Sequence, residues 1–272
     1  MGGAIAGLFV YPVKGCRGIA LPSARLTERG IEHDREWMVV DVAGRFVTQR
    51  TEPRLASIGT AITAGALELA APGADPLQVP LDRVGVAGPV TVWRDTIPGI
   101  DQGPAAATWL SARLDGEYRL VRFDAAARRH CNRAFAGASG AHIAFADGYP
   151  LLVLSQASLD DLNTRLAAAP LPVDRFRPNL LLSGLDAYDE DYIDELRCGE
   201  VALRMVKPCT RCQVTTIDQQ TLEAGVEPLR TLAAYRRNAV LDGVAFGMNA
   251  IVTAGAGATL ARGAPVAHSY RF

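Results

Sequence analysis

Apolar and polar residues alternate over many short stretches of the first hundred positions, which is the pattern of half-buried β-strands. The stretches are separated by Gly, Pro and Asp, the residues that favour tight turns. Strands spaced about ten residues apart indicate a barrel or a sandwich. Four stretches are predicted as strands or hairpins: residues 4–12, 36–49, 67–81 and 89–94.

A helical period first appears at residues 104–115. Pro104 suits the first position of a helix, and Gly116 suits its end. This helix is the clearest break in the pattern. It divides the chain into a predicted N-terminal β-barrel domain, residues 1–115, and a second domain, residues 116–272.

The second domain mixes strands with a few helices, so we predict a mainly β protein of the α+β class. Residues 125–150 lack a period and predict a long loop, a kind of segment that is often functional. The acidic run at 186–196 predicts a solvated surface loop. Helices are predicted at 156–170 and 228–237, and strands at 118–123, 151–155, 179–184, 201–206, 213–218, 245–252 and 259–266.

Composition excludes several classes of protein. The chain has 272 residues, 49% of them apolar, which indicates a folded protein and not a disordered one. Its 28 basic and 29 acidic residues give a net charge of −1, so no broad basic surface for nucleic acid or an anionic membrane is expected. The N-terminus lacks a secretory pattern, and no apolar run reaches the ~18 residues of a membrane span. We therefore expect a cytoplasmic bacterial protein.

Common catalytic motifs are absent from the sequence. No GxGxxG opens a βαβ unit, and no Walker A loop, GxSxG elbow or HExxH pair occurs. The four scattered histidines form no set of zinc ligands. Five cysteines, an odd number in a long chain, do not indicate a disulfide framework.

Cys209-Thr210-Arg211-Cys212 is the sharpest chemical signal. A structural zinc site needs a second such pair, which the chain lacks. A thioredoxin-like dithiol needs a helix after the pair, whereas the β-branched residues 213–218 predict a strand. One cysteine could be a soft thiolate ligand of a metal-containing cofactor, with Arg211 beside it for an anion. Two buried structural cysteines are the fourth interpretation.

Basic residues in three other segments point to an anionic ligand. Lys14 lies in YPVKGCRG, where the glycines permit close approach of the backbone. Arg35 lies in HDREW, before a predicted strand, and Arg177 precedes a strand in RFRPN. Arg17 and Arg50 lie close to these segments without an assigned role. Each of these residues alone is weak evidence for an anion site, but together they would suit a phosphate.

These segments, together with TQRTEPRLA, FRPNLLLSG and KPCTRCQVTTID, resemble a MOSC protein in which a MOSC N-terminal β-barrel domain precedes the MOSC domain. The relatives include the mitochondrial amidoxime-reducing components and bacterial reductases of N-hydroxylated bases. The resemblance covers essentially the whole chain, in order. It implies a β-barrel-like MOSC domain with a few helices after the N-terminal barrel.

The resemblance implies a molybdenum cofactor, Mo-molybdopterin, whose metal is held by Cys212 as the catalytic cysteine. Gly15 stands where the reductases carry serine, Gly148-Tyr149 replaces a Thr-Ser pair, and Thr210 replaces serine. Pyridoxal phosphate binding is a further association of the family, to which no residue is assigned. The residues that fall on cofactor-contacting positions are Lys14, Gly15, Arg35, Gly148, Tyr149, Arg177, Asn179, Thr210, Arg211 and Cys212.

The implied activity is the reduction of small N-hydroxylated or N-oxygenated compounds. Electrons would come from a separate ferredoxin-, flavin- or haem-type protein, because five cysteines cannot also supply an iron–sulfur domain. A carrier of persulfide sulfur or of the cofactor, using Cys212 or Cys209, is the alternative function. A degenerate family member that binds neither is the third.

Overall fold

Short aliphatic and β-branched stretches between turn residues give this chain many short strands, as the pattern predicts. The computed structural model describes residues 2–167 and 169–271. Strand makes up 41% of the protein and helix 17%, so the prediction of a mainly β fold with a few helices is confirmed.

The strands are numbered in chain order, and those of the first half are short. They are β1 (Gly3–Val10), β2 (Val13–Lys14), β3 (Ile19–Ala20), β4 (Ser23–Thr27), β5 (Gly30–Ile31), β6 (Trp37–Val40), β7 (Gly59–Ile62), β8 (Ala66–Ala70), β9 (Leu77–Pro80), β10 (Ala87–Val92) and β11 (Asp95–Asp101). The others are β12 (Arg119–Phe123), β13 (Arg129–His130), β14 (His142–Ile143), β15 (Leu151–Ser155), β16 (Leu180–Ser183), β17 (Ile193–Cys198), β18 (Val201–Thr210), β19 (Arg237–Asn238), β20 (Gly243–Ala254), β21 (Thr259–Ala261) and β22 (Pro265–Tyr270).

Helices are few and short in the described residues. The α-helices are α1 (Pro104–Leu114), α2 (Arg133–Ala136), α3 (Gln156–Arg165) and α4 (Leu229–Ala233). Single 3-10 turns cover Pro53–Ser57, Val173–Arg175, Asp189–Asp191 and Gln213–Thr216.

Seven strands close into a barrel. Their order is β15, β16, β1, β22, β17, β18 and β20, and the pairing of β20 with β15 completes the ring. Only β15 and β16 run parallel within this ring. Aliphatic side chains such as Ile5, Leu180, Leu203 and Met248 fill its interior. The barrel is therefore built by the second half of the chain and completed by the first strand.

A second core lies beneath a five-stranded sheet of order β10, β11, β12, β6 and β2. Trp37, Leu55 and Leu110 of α1 meet in this core. Strand β12 lies beyond residue 115 yet pairs with β6 and β11. Strands thus cross the predicted domain boundary in both directions, and the division at residues 115 and 116 stays a prediction.

The structure differs from the predicted strand at 213–218, where a 3-10 turn covers Gln213–Thr216. The hydroxyls of Thr215 and Thr216 donate to the carbonyl oxygens of Cys212 and Gln213, each at 2.9 Å. Such local bonds offer the backbone an alternative to a sheet and override β propensity. Cys212 is therefore followed by a short 3-10 turn and not by the predicted strand.

Two predicted loops also contain more structure than expected. Residues 125–150 include β13, α2 and β14. The acidic run at 186–196 passes through a 3-10 turn into β17, and Glu190 within it is fully buried. The predicted solvated loop is therefore wrong at that residue, because its carboxylate accepts from the start of α3 at Ser155 N–H (3.2 Å) and Ser158 Oγ (2.8 Å).

Candidate functional site

All ten residues singled out in the sequence line one cavity. It opens to solvent and lies where the barrel meets segments from the first half. Its walls come from chain segments that are far apart in the sequence: Lys14 and Gly15 at the end of β2, Arg35 before β6, Gly148 and Tyr149 before β15, Arg177 and Asn179 before β16, and Thr210, Arg211 and Cys212 at the end of β18.

The cavity is strongly cationic although the chain as a whole is almost neutral. Among the described residues of its walls, Asp147 is the single carboxylate. Concentrated positive charge in a partly enclosed site attracts anions and is less screened than charge on an open surface. The cationic side chains are Lys14, Arg35, Arg50, Arg175, Arg177 and Arg211.

Two arginines stack on one buried tyrosine. The guanidinium groups of Arg35 and Arg177 each lie 4.3 Å from the ring centroid of Tyr11. Burial opposes the charge of Arg35, but the Asp34 carboxylate at 2.6 Å outweighs it and raises the pKa of the guanidinium. Burial and the neighbouring charge of Arg35 lower the pKa of Arg177. A bound anion would therefore stabilise the charge of Arg177.

Two buried donors in the cavity walls lack acceptors within residues 2–167 and 169–271, namely Nη2 of Arg177 and Nε of Arg211. Their neighbouring nitrogens are bonded: Arg177 Nη1 donates to Cys16 O at 2.7 Å and Arg211 Nη2 to Phe176 O at 2.6 Å. A buried charged donor without an acceptor costs several kcal/mol, so an anionic ligand would supply the missing partner. The residues present therefore fit an anionic group.

Lys14 is buried and already paired. Its ammonium donates to Phe145 O at 2.8 Å and to Asp147 Oδ1 at 2.6 Å. Burial lowers the pKa of Lys14, while Asp147 acts in the opposite direction. A phosphate at this point would share the ammonium with Asp147.

Asn179 acts on the other site residues through its side chain. Its Oδ1 accepts from Arg35 Nη1 at 3.2 Å and from Leu152 N at 3.1 Å, and its Nδ2 donates to Phe9 O at 3.2 Å. The amide thereby ties β1 and β15 to Arg35. It serves as a positioning residue for that guanidinium.

Gly148 and Tyr149, which stand in place of the Thr-Ser pair that the resemblance implies, have different surroundings. A Cβ added at Gly148 would meet nothing within 4 Å. Tyr149 packs with Cys131, Val206 and Ile251, and burial raises the pKa of its phenol to about 12. One position therefore leaves open space in the wall, and the other closes the wall with a neutral ring.

The cysteine pair lies at the end of β18. Cys212 is exposed, whereas Cys209 is partly buried and its sulfur accepts from Arg211 Nη1 at 3.0 Å. No group of three or more His, Cys, Asp or Glu side chains in the described part of the chain is arranged to hold a metal ion. A metal at Cys212 would therefore take its other ligands from a second molecule, and a soft, exposed thiol fits that arrangement.

Sequence reasoning missed several residues of the cavity. Trp93 and Asp147 belong to no quoted motif, and only the fold brings them together at 3.0 Å. Arg175 lies two residues before Arg177 and donates to Thr215 O at 3.0 Å. Asp147 could have been predicted because it directly precedes Gly148 in the sequence. Nothing in the sequence around Trp93 indicated that it lines the cavity.

No helix within the described ranges has the length and apolar character that a membrane crossing requires.

Comparisons with known proteins agree with the geometry. Residues 2–117 match the family model of the MOSC N-terminal beta barrel domain, and residues 140–266 match that of the MOSC domain. Mitochondrial amidoxime-reducing component 1 of Homo sapiens is 38% identical over 245 residues, which cover 86% of this chain and 72% of that protein. Mitochondrial amidoxime reducing component 2 of Rattus norvegicus is 35% identical over 246 residues with the same coverage.

A solved structure, the YuaD protein from Bacillus subtilis, matches 100% of this chain and 98% of its own at 11% identity and a TM-score of 0.44, too distant to inform the site. The resemblance inferred from the motifs is confirmed by the two domain matches and by identities of 31–38% over most of the chain. The chain belongs to the family of MOSC proteins that includes the mitochondrial amidoxime-reducing components.

Proposed function

We propose that the chain is a molybdenum-cofactor-dependent reductase of N-hydroxylated or N-oxygenated compounds. The observation that supports it most is one cavity that combines an exposed thiol, Cys212, with unpartnered buried donors of Arg177 and Arg211 among the described residues. The family adds the reaction class, since the relatives are named for reducing amidoximes.

The residues divide into those that would hold the cofactor and those that position them. Lys14, Arg177 and Arg211 would bind its phosphate and pterin oxygens, and Cys212 would ligate the metal. Asn179 and Asp34 would hold Arg35 in place. When bound, the cofactor supplies two-electron redox chemistry, while the protein supplies binding, orientation and electrostatics.

The reaction consumes two electrons and two protons for each N–O bond broken, and it releases water. We propose that a separate ferredoxin-, flavin- or haem-type protein delivers the electrons. The open mouth of the cavity leaves the Cys212 side accessible to a small substrate. Cytoplasmic location stays a prediction beside relatives named as mitochondrial, and pyridoxal phosphate binding stays only an association of the family.

The alternative, a carrier of persulfide sulfur or of the cofactor, is favoured by one observation. The Cys212 thiol is exposed, as persulfide transfer requires. Cys209 is less accessible and accepts from Arg211, so Cys212 would be the carrier residue.

An activity assay separates these functions. Cofactor-loaded protein, reduced chemically, is supplied with N-hydroxybenzamidine, and benzamidine is quantified for the wild type, Cys212→Ser and Cys209→Ser. We expect turnover by the wild type and Cys209→Ser, and none by Cys212→Ser. A wild type that contains molybdenum but forms no benzamidine would contradict the proposal, and a persulfide on Cys212 seen by mass spectrometry would favour the carrier.

A further inference from the structure

Asp147 is the one carboxylate among the described side chains of a cavity that carries six cations. An anionic cofactor gains nothing from a negative charge in its wall. Binding of the cofactor therefore does not explain why a carboxylate lies in this cavity.

The two oxygens of Asp147 have different surroundings. Oδ1 accepts from Lys14 Nζ at 2.6 Å and from Trp93 Nε1 at 3.0 Å. Oδ2 accepts no hydrogen bond from any described residue, and the side chain is 76% exposed. One oxygen is thus tethered to the protein and the other is free to meet a ligand.

Trp93 fixes the direction of this carboxylate. It lies in the tight turn between β10 and β11 with φ of 56°, a left-handed conformation that costs a bulky residue about 1–3 kcal/mol. Its ring packs on Phe46 with centroids 4.9 Å apart, and the Arg50 guanidinium lies 4.9 Å from it. A strained tryptophan whose indole N–H is directed at Asp147 acts as a positioning residue.

The carboxylate stays ionised at neutral pH. Partial removal from water favours its neutral form, but the ammonium of Lys14 and its hydrogen bond outweigh this and hold the pKa of Asp147 well below its usual range. A fixed negative charge is therefore present whenever substrate enters.

We propose that Asp147 Oδ2 binds the protonated nitrogen of the product, and so makes the site selective for N-hydroxylated bases over N-hydroxylated amides. The inference rests on the proposed function. A neutral N-hydroxyamidine takes two electrons from the donor protein and three protons. Its N–O bond breaks, and an amidinium cation and water form.

Positive charge develops on the head group during this reaction, amid cations that repel it. A preorganised carboxylate stabilises a charge that appears between substrate and product. A hydroxamic acid gives a neutral amide instead, so it gains nothing from Asp147. Specificity for bases follows from this single charge.

Direct binding to the cofactor-loaded protein tests the inference without turnover. Calorimetry with benzamidine and with benzamide, its neutral counterpart, is carried out on the wild type, Asp147→Asn, Trp93→Phe and Asp82→Asn. Asp82 is an exposed carboxylate outside the cavity and serves as the matched control. Loss of a charge-assisted hydrogen bond predicts benzamidine binding about tenfold or more weaker in Asp147→Asn, with benzamide binding unchanged.

Trp93→Phe keeps the carboxylate and replaces the indole by a smaller ring without an N–H donor, so we expect a smaller loss for benzamidine alone. This variant keeps the test decisive if Asp147→Asn does not fold. Asp82→Asn should bind both compounds as the wild type does. The ratio of kcat/KM for N-hydroxybenzamidine to that for benzhydroxamic acid should fall in Asp147→Asn by a similar factor.

Equal weakening for both compounds, or loss of molybdenum from Asp147→Asn, would overturn the inference and assign the carboxylate to the fold or the cofactor. Preference for benzamidine without any N-hydroxybenzamidine reduction would instead contradict only the reductase proposal. Turnover without a preference for benzamidine would contradict only the role of Asp147.

Discussion

At the scale of single residues, two glycines of the cavity wall differ in backbone conformation and in the space beside them. Gly15 has φ of 86°, and a Cβ there would lie 3.1 Å from Leu55 Cδ1. Gly148 has ordinary backbone angles and open space beside it. The first glycine has a left-handed backbone beside Leu55 that disfavours a side chain, whereas the second has room for one.

Serine substitutions at the two glycines should therefore destabilise the protein to different extents. Gly15→Ser forces a side chain into a left-handed conformation against Leu55, and we expect its free energy of unfolding to fall by about 1–2 kcal/mol. Gly148→Ser should change that free energy by less than about 0.5 kcal/mol. Urea unfolding of both variants beside the wild type measures the difference, and an equal loss in the two would contradict the account of Gly148.

At the scale of elements, the local sequence predicted the helices and strands that local interactions determine. Helix α1 begins at Pro104 and strand β15 covers residues 151–155 as expected. The prediction failed at 213–218, where two threonine hydroxyls bond back to the chain, and at Glu190, which turns inward from an acidic run. Nothing in a run of similar carboxylates tells which of them will meet the start of α3 in the folded protein.

Glu190 should make the stability of the protein depend on pH. Burial raises the pKa of this carboxyl from 4.5 to about 7, although bonds from Ser158 and Ser155 oppose the shift. Between these values the unfolded chain has released a proton that the folded chain keeps, so stability falls as the pH rises. Glu190→Gln removes this titration, and the wild type should therefore lose up to about 3 kcal/mol relative to the variant from about pH 4 to pH 8.

Urea unfolding of the wild type and Glu190→Gln at several pH values checks the slope. Parallel curves for the two proteins would show that Glu190 ionises in the folded state as it does in the unfolded one.

At the scale of the whole molecule, the site exists only because distant segments converge. Barrel strands bring Asn179, Thr210 and Cys212 together, and the first half adds Lys14 from β2 and Trp93 from the turn after β10. The ten residues taken from motifs all line one cavity, and their roles at the site stay predictions. The pairing of Trp93 with Asp147 could not be predicted, because 54 residues separate them and no motif contains both.

The net charge of the chain also did not predict the cationic cavity. A net charge of −1 gives no reason to expect a broad basic surface, yet six cationic side chains line the cavity. Composition averages over the surface, whereas binding depends on where the charges meet.

The most direct test of the central claim is the molybdenum content of protein expressed in a cofactor-competent host, measured beside Cys212→Ala and Cys209→Ala. Cys212 is exposed, so its replacement should leave the thermal unfolding of the cofactor-free protein unchanged while the metal is lost. We expect near-stoichiometric molybdenum in the wild type and in Cys209→Ala, and little in Cys212→Ala. Metal absent from all three, or retained in full by Cys212→Ala, would contradict the assignment of this cavity to a cysteine-bound molybdenum cofactor.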